Sequence, residues 1–466
     1  MSRVESLDLI VIGGGPGGYV AAISAARRGL ATAVVEETHL GGICSNWGCI
    51  PTKALLRNGE IMDLVRHGKD WGIRIDGFEV DWPAVVRRSR RVADRMAKGV
   101  EFLLKKNRVL HVPGRGRLLG EGRVEVTAKD GARETLRAKS VILATGARAR
   151  ALPEIGFDGE RIISYHEALA LKEIPGRLLI VGAGAIGVEF AQIYGDFGSE
   201  VTLVEWLPRV LPQEDEEISA ELEKIFKKRG WKILTGARVA SLERAGNEVV
   251  CRVEAGGSTR EIRADVALLA VGVAGNVEDV GLETAGVEVE KGFIKTGPHM
   301  ETNVPGIYAV GDVAGPPMLA HAASAEGEAA VARIAGEDRP PVDHTYTPGC
   351  TYCRPQVASL GLTEKEARDK GLAIRVGRFP FRANGRAVGH GETEGFIKLV
   401  FGERHGELLG AHILGPEATE ILGELGLAAS SEMTYHEIAG TIHAHPTLSE
   451  VVAEAAGAAF GEAIHI

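Results

Sequence analysis

Two cysteines stand five positions apart in one short stretch of the chain. Cys44 and Cys49 belong to Gly41–Lys53, which reads Gly-Gly-Ile-Cys-Ser-Asn-Trp-Gly-Cys-Ile-Pro-Thr-Lys. Because Pro51 suits the first turn of a helix, Cys49 is expected at or near a helix N-terminus. The helix dipole favours a thiolate at that position, and a thiolate is both a nucleophile and a metal ligand.

Three kinds of site compete for this cysteine pair. A zinc site needs two more ligands, which Cys350 and Cys353 could supply with their C-x-x-C spacing. A structural disulfide is typical of small secreted domains, and five cysteines in 466 residues are not that pattern. A redox-active disulfide beside a flavin is favoured, because it also accounts for the nucleotide-binding motifs described below. We expect no metal, and we expect Cys350 and Cys353 to be a reduced pair, with a second redox or metal role as the alternative.

A second chemical motif lies near the end of the sequence. His443 and His445 are followed by Glu450, which can hydrogen-bond one ring nitrogen of a histidine and so fix its tautomer. A thiol with a pKa of about 8.5 is mostly protonated at neutral pH, so dithiol chemistry needs such a base. Thr447 or Ser449 is expected to cap the helix that follows.

The elements that position these residues begin with a duplicated βαβ unit. A buried strand leads into a G-x-G-x-x-G turn and a helix, and an acid ends the second strand. The whole pattern recurs 169 residues later. The paired positions are Gly13 and Gly182, Gly15 and Gly184, Gly18 and Gly187, and Glu36 and Glu205.

The duplication predicts two bound dinucleotides. The glycines allow the tight turn, the approach of a pyrophosphate and the packing of helix on strand, and the acid binds a ribose diol. One chain that needs two dinucleotides suggests FAD in the first unit and a nicotinamide cofactor in the second. Glu205 would repel a 2′-phosphate, so NAD is favoured over NADP, although Arg209 lies nearby.

Later strands fit the same plan. Ser140–Gly146 and Ala267–Gly272 are apolar runs that end in glycine, and we expect Thr145 with Gly146 to contact FAD and Gly272 to contact NAD. A further strand, Gly306–Asp312, ends on an acid that could bind the sugar alcohol of the flavin; a helix N-cap is the alternative role for Asp312.

Composition narrows the remaining possibilities. The chain has 54 Lys and Arg against 63 Asp and Glu, a net charge of −9, which argues against nucleic acid as the main partner. No apolar run is long enough for a membrane span, and Met1–Asp8 lacks a signal-peptide core, so a cytoplasmic protein is expected. The basic run Arg87–Arg95 is expected to be the solvated face of a helix, with docking of an acidic partner as the alternative.

These motifs together resemble the pyridine nucleotide–disulfide oxidoreductases over essentially the whole chain. The redox stretch Gly41–Lys53 is highly specific for that family. Within it, the sequence is most similar to the branch that oxidises protein-bound dihydrolipoamide with NAD. That similarity rests on Glu205, on Val204–Pro212 and on His443–Glu450, which reads His-Ala-His-Pro-Thr-Leu-Ser-Glu.

The resemblance implies a role for each matching residue. Cys49 would contact the flavin and form a charge-transfer pair, and Cys44 would exchange with the substrate disulfide. Lys53 would lie near the flavin and pair with Glu189. The base would be His445 with Glu450, contributed by the other subunit of a homodimer. The remaining FAD contacts would be Glu36 on the adenosine ribose, Asp312 on the ribityl chain, and Met318, Leu319, Ala320 and His321 along the flavin.

The resemblance also implies a fold and a partner. The fold would be α/β, with two Rossmann-like domains, for FAD and NAD, and an α+β C-terminal dimerisation domain. The domains would be 1–150 for FAD and the redox pair, 151–272 for NAD, 273–341 completing the FAD site, and 342–466 for dimerisation. The partner would be the lipoyl-bearing protein of a 2-oxoacid dehydrogenase or glycine cleavage complex. The alternative is a reductase of the glutathione reductase type, for which basic residues are expected where Glu205 stands.

Overall fold

A computed structural model describes residues 7–466. Residues 1–6, part of the stretch in which no signal-peptide core was expected, lie outside the described residues. The strands, numbered along the chain, are β1 (Leu7–Ile12), β2 (Thr32–Glu36), β3 (Leu110–Pro113), β4 (Arg115–Gly120), β5 (Arg123–Thr127), β6 (Arg133–Leu143), β7 (Ala147–Ala149), β8 (Ile162–Ile163), β9 (Arg177–Val181), β10 (Glu200–Val204), β11 (Lys232–Leu234), β12 (Arg238–Ala245), β13 (Glu248–Ala255), β14 (Ser258–Ala264), β15 (Val266–Leu269), β16 (Val273–Gly275), β17 (Val289–Glu290), β18 (Phe293–Ile294), β19 (Ile307–Ala309), β20 (Gly349–Thr351), β21 (Gln356–Gly361), β22 (Ile374–Pro380), β23 (Phe396–Gly402) and β24 (Leu408–Gly415).

Helices alternate with these strands. The α-helices are α1 (Pro16–Arg27), α2 (Gly42–Trp47), α3 (Cys49–Arg66), α4 (Trp82–Lys106), α5 (Tyr165–Ala168), α6 (Ala185–Asp196), α7 (Glu216–Lys228), α8 (Leu282–Ala285), α9 (Ala320–Ile334), α10 (Glu364–Asp369), α11 (Gly385–His390), α12 (Ala418–Ser430), α13 (Tyr435–Gly440) and α14 (Glu450–Phe460). Short 3₁₀ helices span Gly68–Trp71, Gly311–Ala314 and Phe381–Ala383. Across residues 7–466, no helix has the length and apolar character that a membrane crossing requires.

The chain forms two compact units, each assembled from separate segments. The first contains the described residues up to Leu55 together with Asp81–Arg150 and Gly272–His344. The second contains Leu56–Val80, Ala151–Val271 and Thr345–Ile466. The four-domain division stays a prediction.

The first unit is organised by a sheet with a parallel core. Strands β3, β2, β1 and β6 run parallel in that order, β19 pairs with β6 in parallel, and β5 and β4 extend the sheet as an antiparallel meander. Near-continuous apolar strands such as Leu7–Ile12 are typical of parallel sheets that are covered on both faces. One face packs against α1 and α9, where an added Cβ on Gly327 would lie 2.6 Å from the carbonyl oxygen of Gly17.

The second unit repeats this plan in its nucleotide-binding half. Strands β11, β10, β9, β15 and β8 form a fully parallel five-stranded sheet with β9 at its centre. The central strand β9 corresponds to β1, and each leads into one of the predicted glycine turns. A three-stranded antiparallel sheet, β12–β13–β14, packs beside it through an apolar cluster that includes the fully buried Cys251.

The C-terminal half of the second unit is an antiparallel sheet with helices. Its strands pair in the order β20–β21–β24–β23–β22, and α12 and α14 bury their apolar faces against it. The observed elements therefore match the expected fold class of two Rossmann-like regions and an α+β C-terminal region.

Two local expectations were wrong. The strand predicted to run from Gly306 to Asp312 ends at Ala309, and Asp312 instead lies in the 3₁₀ helix that follows, whose N-cap is Val310. Helix α14 begins at Glu450 after Ser449, whose side chain makes no capping hydrogen bond. The Glu450 carboxylate accepts the N–H of Thr447, a residue before the helix, at 2.7 Å from Oε2, and its charge suits the helix N-terminus.

Candidate active site and nucleotide-binding turns

The two cysteines of the redox stretch lie on consecutive helices. Cys44 lies within α2, and the helical conformation is interrupted at Gly48. Helix α3 then begins at Cys49, as the position of Pro51 predicted. Gly48 has φ −141° and ψ −115°, and a Cβ there would approach the Ile43 carbonyl oxygen to 3.1 Å. This break folds the second helix back so that the two thiols meet.

The thiols of this pair are in direct contact. Both cysteines are thiols in the structure and partly buried. A hydrogen bond with Cys49, together with burial, raises the pKa of the Cys44 thiol, with Lys53 acting in the opposite direction and Asp312 adding to the rise. The raised pKa favours the protonated form of the Cys44 thiol.

Buried polar groups hold the turn between α2 and α3. The Asn46 side chain is buried, and its Nδ2 donates to the carbonyl oxygens of Leu40 at 3.0 Å and Gly42 at 2.9 Å. The Thr52 hydroxyl donates to the Gly48 carbonyl at 2.6 Å. These bonds give side-chain partners to backbone carbonyl groups at the start of α2 and at Gly48.

The first glycine turn has the shape that the motif predicted. Gly13 has φ 107°, and a Cβ there would lie 2.1 Å from the Ala144 carbonyl oxygen, so only glycine fits. A Cβ on Gly18 would lie 2.0 Å from the Gly13 carbonyl oxygen, which shows how closely α1 packs on the turn. A Cβ added to Gly15 would meet only the Gly42 Cα, at an ordinary van der Waals distance of 3.9 Å, so packing does not require glycine here.

The second turn reproduces the first. Gly182 has φ 103°, and its added Cβ would lie 2.3 Å from the Ala270 carbonyl oxygen; a Cβ on Gly187 would lie 1.9 Å from the Gly182 carbonyl oxygen. No heavy atom lies within 4 Å of a Cβ placed on Gly184. The N-cap glycines share one conformation, with φ −70° and ψ −176° at Gly15 and φ −74° and ψ −176° at Gly184.

These two turns fit the pyrophosphates of the predicted FAD and NAD. Neither helix has a side-chain cap on its N-terminus, so the backbone N–H groups of α1 and α6 remain available to an anion. No close contact explains the glycine at Gly15 or at Gly184, and these are the positions where the backbone must let a phosphate approach. The residues present therefore fit both groups.

The acid at the end of each second strand braces its glycine turn. Glu36 Oε2 accepts the Gly14 N–H at 2.7 Å, and Glu205 Oε2 accepts the Ala183 N–H at 2.6 Å. The Glu205 carboxylate is buried, and its other oxygen accepts the Leu207 N–H at 2.8 Å. Each carboxylate is thus fixed at the edge of its turn, where a ribose diol is expected. Arg209, the possible ligand of a 2′-phosphate, instead pairs with Glu216 at 2.8 Å.

Several predicted FAD contacts lie in the first unit. Burial raises the pKa of Asp312, and Met318–His321 form the entry to α9, with Leu319 as its N-cap. Sequence reasoning missed Glu326, a buried acid of α9 whose Oε2 accepts the Gly311 N–H at 2.6 Å. This bond fixes the turn that carries Asp312. Because Glu326 stands in an alanine-rich helix and belongs to no motif, the sequence gave no sign that this acid would be buried.

The strand ends expected at the cofactors are also fixed by hydrogen bonds. The Thr145 hydroxyl donates to the Asn276 carbonyl at 2.8 Å, and the Asn276 N–H donates to the Gly146 carbonyl at 2.9 Å. Gly272 has φ 103°, with no heavy atom within 4 Å of an added Cβ, and its carbonyl accepts the Arg150 N–H at 3.1 Å. Gly272 is the first residue of a segment of the first unit, whereas the second glycine turn lies in the second unit.

The two histidines near the end of the chain differ in their hydrogen-bond partners and in their exposure to solvent. His445 Nδ1 lies 2.8 Å from Glu450 Oε1, and because a carboxylate only accepts, Nδ1 carries the hydrogen and Nε2 keeps its lone pair. His443 has acceptors at both ring nitrogens, the Thr441 carbonyl at 3.0 Å and Glu424 Oε1 at 2.9 Å. The His445 side chain is 78% exposed and that of His443 8%. Of the two, only His445 is arranged as an accessible base.

Glu450 is set up as the orienting carboxylate. Burial opposes its charge, but hydrogen bonds from the Thr447 N–H and from His445 outweigh burial and lower the pKa of Glu450. The group therefore stays ionised and keeps the His445 ring in one tautomer.

The predicted partners Lys53 and Glu189 belong to different units, so their pairing stays a prediction. Glu189 is buried in α6, and its Oε1 accepts the Tyr352 N–H at 2.9 Å. The stretch between Cys350 and Cys353 thus supports Glu189, a role that its C-x-x-C spacing did not suggest.

The remaining cysteines have structural surroundings. Cys353 is buried, burial raises the pKa of its thiol, and its Sγ donates to the Pro355 carbonyl at 3.1 Å. Cys350 packs against the C-terminal core. Burial raises the pKa of Cys251 to about 12. Over the described residues no cluster of three or more histidines, cysteines and acids is arranged to hold a metal ion.

Comparison with known proteins gives consistent matches over almost the whole chain. Residues 7–327 match the model of the pyridine nucleotide-disulphide oxidoreductase family, and residues 347–456 match its dimerisation domain. A dihydrolipoyl dehydrogenase of Zymomonas mobilis is 47% identical over 463 residues, covering 99% of each chain. One from Rhizobium etli is also 47% identical, over 478 residues and 99% of each chain. The crystal structure of LpdA from Mycobacterium tuberculosis superposes with a TM-score of 0.90 at 30% identity, covering 97% of this chain and 99% of the other.

Proposed function

This chain belongs to the pyridine nucleotide-disulphide oxidoreductase family, and from that premise we propose that it acts as a dihydrolipoyl dehydrogenase. It oxidises protein-bound dihydrolipoamide to lipoamide and reduces NAD to NADH. The observation that carries this proposal is the contact between the Cys44 and Cys49 thiols at the Gly48 break, in a chain with two nucleotide-binding turns.

The reaction balances as two linked two-electron steps. The substrate dithiol attacks the Cys44–Cys49 disulfide, forms a mixed disulfide with Cys44 and then closes to lipoamide, which leaves both enzyme cysteines reduced and passes the two thiol protons of the substrate to them. Oxidation of the two thiols back to the disulfide delivers two electrons and one proton to NAD and releases the other proton. FAD, when bound, carries these electrons from the dithiol to the nicotinamide. As the family resemblance implies, Cys44 exchanges with the substrate and Cys49 is the thiol that contacts the flavin.

His445 supplies the proton transfer that this chemistry requires. Its Nε2 lone pair accepts a proton from the substrate thiol, since Nδ1–H is held by Glu450. The exposed position of His445 suits a base that acts in the active site of the other subunit of a homodimer. The match to a dimerisation domain over residues 347–456 supports that arrangement.

The nucleotide turns hold the two cofactors. Gly13, Gly15, Gly18 and Glu36 would hold FAD, with Thr145, Gly146, Asp312 and Met318–His321 as further contacts. Lys53 would act near the flavin, and its pairing with Glu189 stays a prediction. Gly182, Gly184, Gly187, Glu205 and Gly272 bind NAD. The buried Glu205 carboxylate favours NAD, because it would repel the 2′-phosphate of NADP.

The partner is a lipoyl-bearing protein of a 2-oxoacid dehydrogenase or glycine cleavage complex, and the place of action is the cytoplasm. The names of the relatives support a lipoyl substrate. A reducing compartment suits a catalytic disulfide that must return to the dithiol form. A binding assay between the purified enzyme and isolated lipoyl domains, read against the same domains without lipoate, tests the partner.

A steady-state assay tests the function. The purified holoenzyme is given dihydrolipoamide with NAD, and in parallel glutathione disulfide with NADPH. We expect rapid NADH formation with the first pair and little NADPH consumption with the second, and we expect Cys44→Ser to abolish the first reaction while FAD stays bound. The opposite preference, or near-normal turnover by Cys44→Ser, would refute the proposal and favour a reductase of the glutathione reductase type.

A further inference from the structure

The basic run on α4 does more than face solvent. The sequence suggested a solvated helix face for Arg87–Arg95, yet two members of the run reach backbone groups of the helices that carry the cysteines. Arg88 and Arg90 flank Ser89, which is 1% exposed and so marks the packed face of α4. Their side chains extend from either side of that buried position.

Arg90 holds the end of the helix that carries Cys44. It donates from Nη1 to the Asn46 carbonyl oxygen, one of the last carbonyls of α2, which lack partners within the helix. The guanidinium also lies over the Trp47 ring, with Cζ 3.9 Å from the ring centroid. A planar cation that stacks on an aromatic ring while it hydrogen-bonds a carbonyl can adopt few other orientations.

Arg88 holds the helix that carries Cys49. Its Nη1 donates to the Ala54 carbonyl oxygen at 3.1 Å, in the second turn of α3. The two arginines therefore connect one rigid helix, α4, to the helices on both sides of the Gly48 break. The Asn46 side chain fixes the start of α2 through Leu40 and Gly42, and Arg90 fixes its end.

We propose that Arg90, with Trp47 and Arg88, is a positioning group for the disulfide chemistry: it sets the distance and orientation of Cys44 relative to Cys49. This inference rests on the proposed function. Arg90 is half-buried, and burial lowers the pKa of its guanidinium although the charge of Asp94 opposes that shift. Its contacts are with a neutral carbonyl and an aromatic ring, at the one break where two helices must be held together.

Matched variants of the holoenzyme separate this role from a general effect of charge. Arg90→Met removes the hydrogen bond and the stacked cation, and Arg90→Lys keeps the charge without the planar group. Arg91→Met is the control, since Arg91 is the next residue of α4 and is exposed. The measurements are the single-turnover rate of disulfide reduction by dihydrolipoamide, the absorbance of the thiolate–flavin contact in the reduced enzyme, and the pH profile of Cys44 alkylation by iodoacetamide.

We expect Arg90→Met to slow disulfide reduction by roughly 10- to 100-fold, because misplacement of reacting groups by about 1 Å has effects of that size. The absorbance should weaken, the alkylation profile should move, and Arg90→Lys should recover part of the loss. Arg91→Met should stay within about twofold, as for surface changes in general. If Arg90→Met does not fold, Trp47→Leu is measured in the same way, with the same expected direction.

Profiles of Arg90→Met or Trp47→Leu that coincide with those of Arg91→Met would overturn the inference. Its failure is distinct from failure of the proposed function. A wild-type enzyme that does not couple dihydrolipoamide to NAD would refute the function, whereas the alkylation profile reports on the cysteine pair without substrate or NAD.

Discussion

At the scale of single residues, the direction of one imidazole ring decides where a proton can go. His443 and His445 are two positions apart, and in the sequence only the family resemblance, not their spacing from Glu450, favoured His445 as the base. In the structure Glu424 and the Thr441 carbonyl occupy both nitrogens of His443, whereas Glu450 occupies only Nδ1 of His445. The acceptors that each ring meets, Thr441 and Glu424 for one and Glu450 for the other, thus distinguish a structural histidine from a base.

Replacement of the two histidines should show this difference. His445→Gln should lower kcat for dihydrolipoamide oxidation by about 10²-fold or more, since general base catalysis contributes 10²–10⁴. His443→Gln, the matched control, should act mainly on stability, because it leaves Glu424 without its partner. Steady-state and stopped-flow kinetics of both variants measure the difference. A loss confined to flavin reduction by NADH in His445→Gln would show that the base is assigned wrongly.

At the scale of elements, the two glycine turns are built alike to within a few degrees. At the third glycine of each turn, packing leaves no room for a side chain. At the second, a side chain would instead obstruct the dinucleotide that is expected to bind there. At Gly187 an added Cβ would lie 1.9 Å from a carbonyl oxygen, while at Gly184 it meets nothing within 4 Å. The same backbone motif therefore has positions that serve the fold and positions that serve binding.

Alanine at these two positions should separate the effects. Gly184→Ala should leave the melting temperature unchanged but raise the Kd for NAD about tenfold or more, a loss of about 1.4 kcal/mol or more. Gly187→Ala should lower the free energy of unfolding by about 1–3 kcal/mol or more, through overpacking against the turn. Thermal unfolding and NAD titration of both variants provide the test. Equal effects of the two changes on stability would contradict the assignment of Gly184 to the pyrophosphate.

A second element-scale feature is a buried lysine that joins helix α7 to the C-terminal sheet within one unit. Lys398 on β23 is 2% exposed, and its Nζ lies 2.8–2.9 Å from carboxylate oxygens of Asp215, Glu217 and Glu364. Burial lowers the pKa of Lys398, but bonds to the three acids outweigh burial and raise it. Hydrogen bonds from Arg378 and Lys398 lower the pKa of Glu217 to about 2.

Removal of this lysine should make stability depend on pH. Lys398→Met should cost about 3–5 kcal/mol at pH 7, because Asp215 is then buried without its cation. A lowered carboxyl pKa contributes stability above the ordinary value of about 4.3, and that contribution is lost as pH falls toward 2. The difference between wild type and variant should therefore shrink below about pH 4.5, as measured by urea unfolding. Lys365→Met, at an exposed pair with Asp369, is the control; an equal difference at pH 7 and pH 4 would contradict the account.

The sequence predicted features that depend on neighbouring residues better than features that depend on contacts between separated segments. The glycine turns, Glu36, Glu205 and the helix start at Cys49 come from local patterns of a few residues, and their positions were predictable. Arg90 on Asn46, Glu326 on Gly311 and Tyr352 on Glu189 join segments up to 163 residues apart. No periodicity or spacing encodes such contacts, since they exist only once the sheets have placed the segments together. The arginine run was read as solvated for the same reason.

At the scale of the whole molecule, the proposed active site requires two chains. The cysteines and the histidine belong to different compact units, and residues 347–456 match a dimerisation domain. In a symmetric dimer, each site would take its cysteines from one chain and its base from the other.

Mixed dimers test this sharing directly. Cys44→Ser and His445→Gln chains, each inactive alone, are dissociated together and allowed to reassociate at equal concentration. A mixed dimer has one intact and one doubly defective site, so random pairing should restore about a quarter of wild-type activity. The control is a mixture in which both chains carry Cys44→Ser, where no recovery is expected. Absence of recovery in mixed dimers confirmed by mass spectrometry would show that each site uses residues of one chain.

The break at Gly48 has a thermodynamic consequence for the working cycle. Because the cysteines are only five positions apart, their bond closes a loop of six residues in the unfolded chain. In the chain-entropy account such a small ring adds about 2 kcal/mol of stability, against about 4.7 kcal/mol for a 100-residue loop. Each turnover opens and closes this ring, so the choice of close neighbours keeps the oxidised and reduced proteins nearly equal in their resistance to unfolding. The enzyme can therefore break this covalent cross-link in every cycle without unfolding.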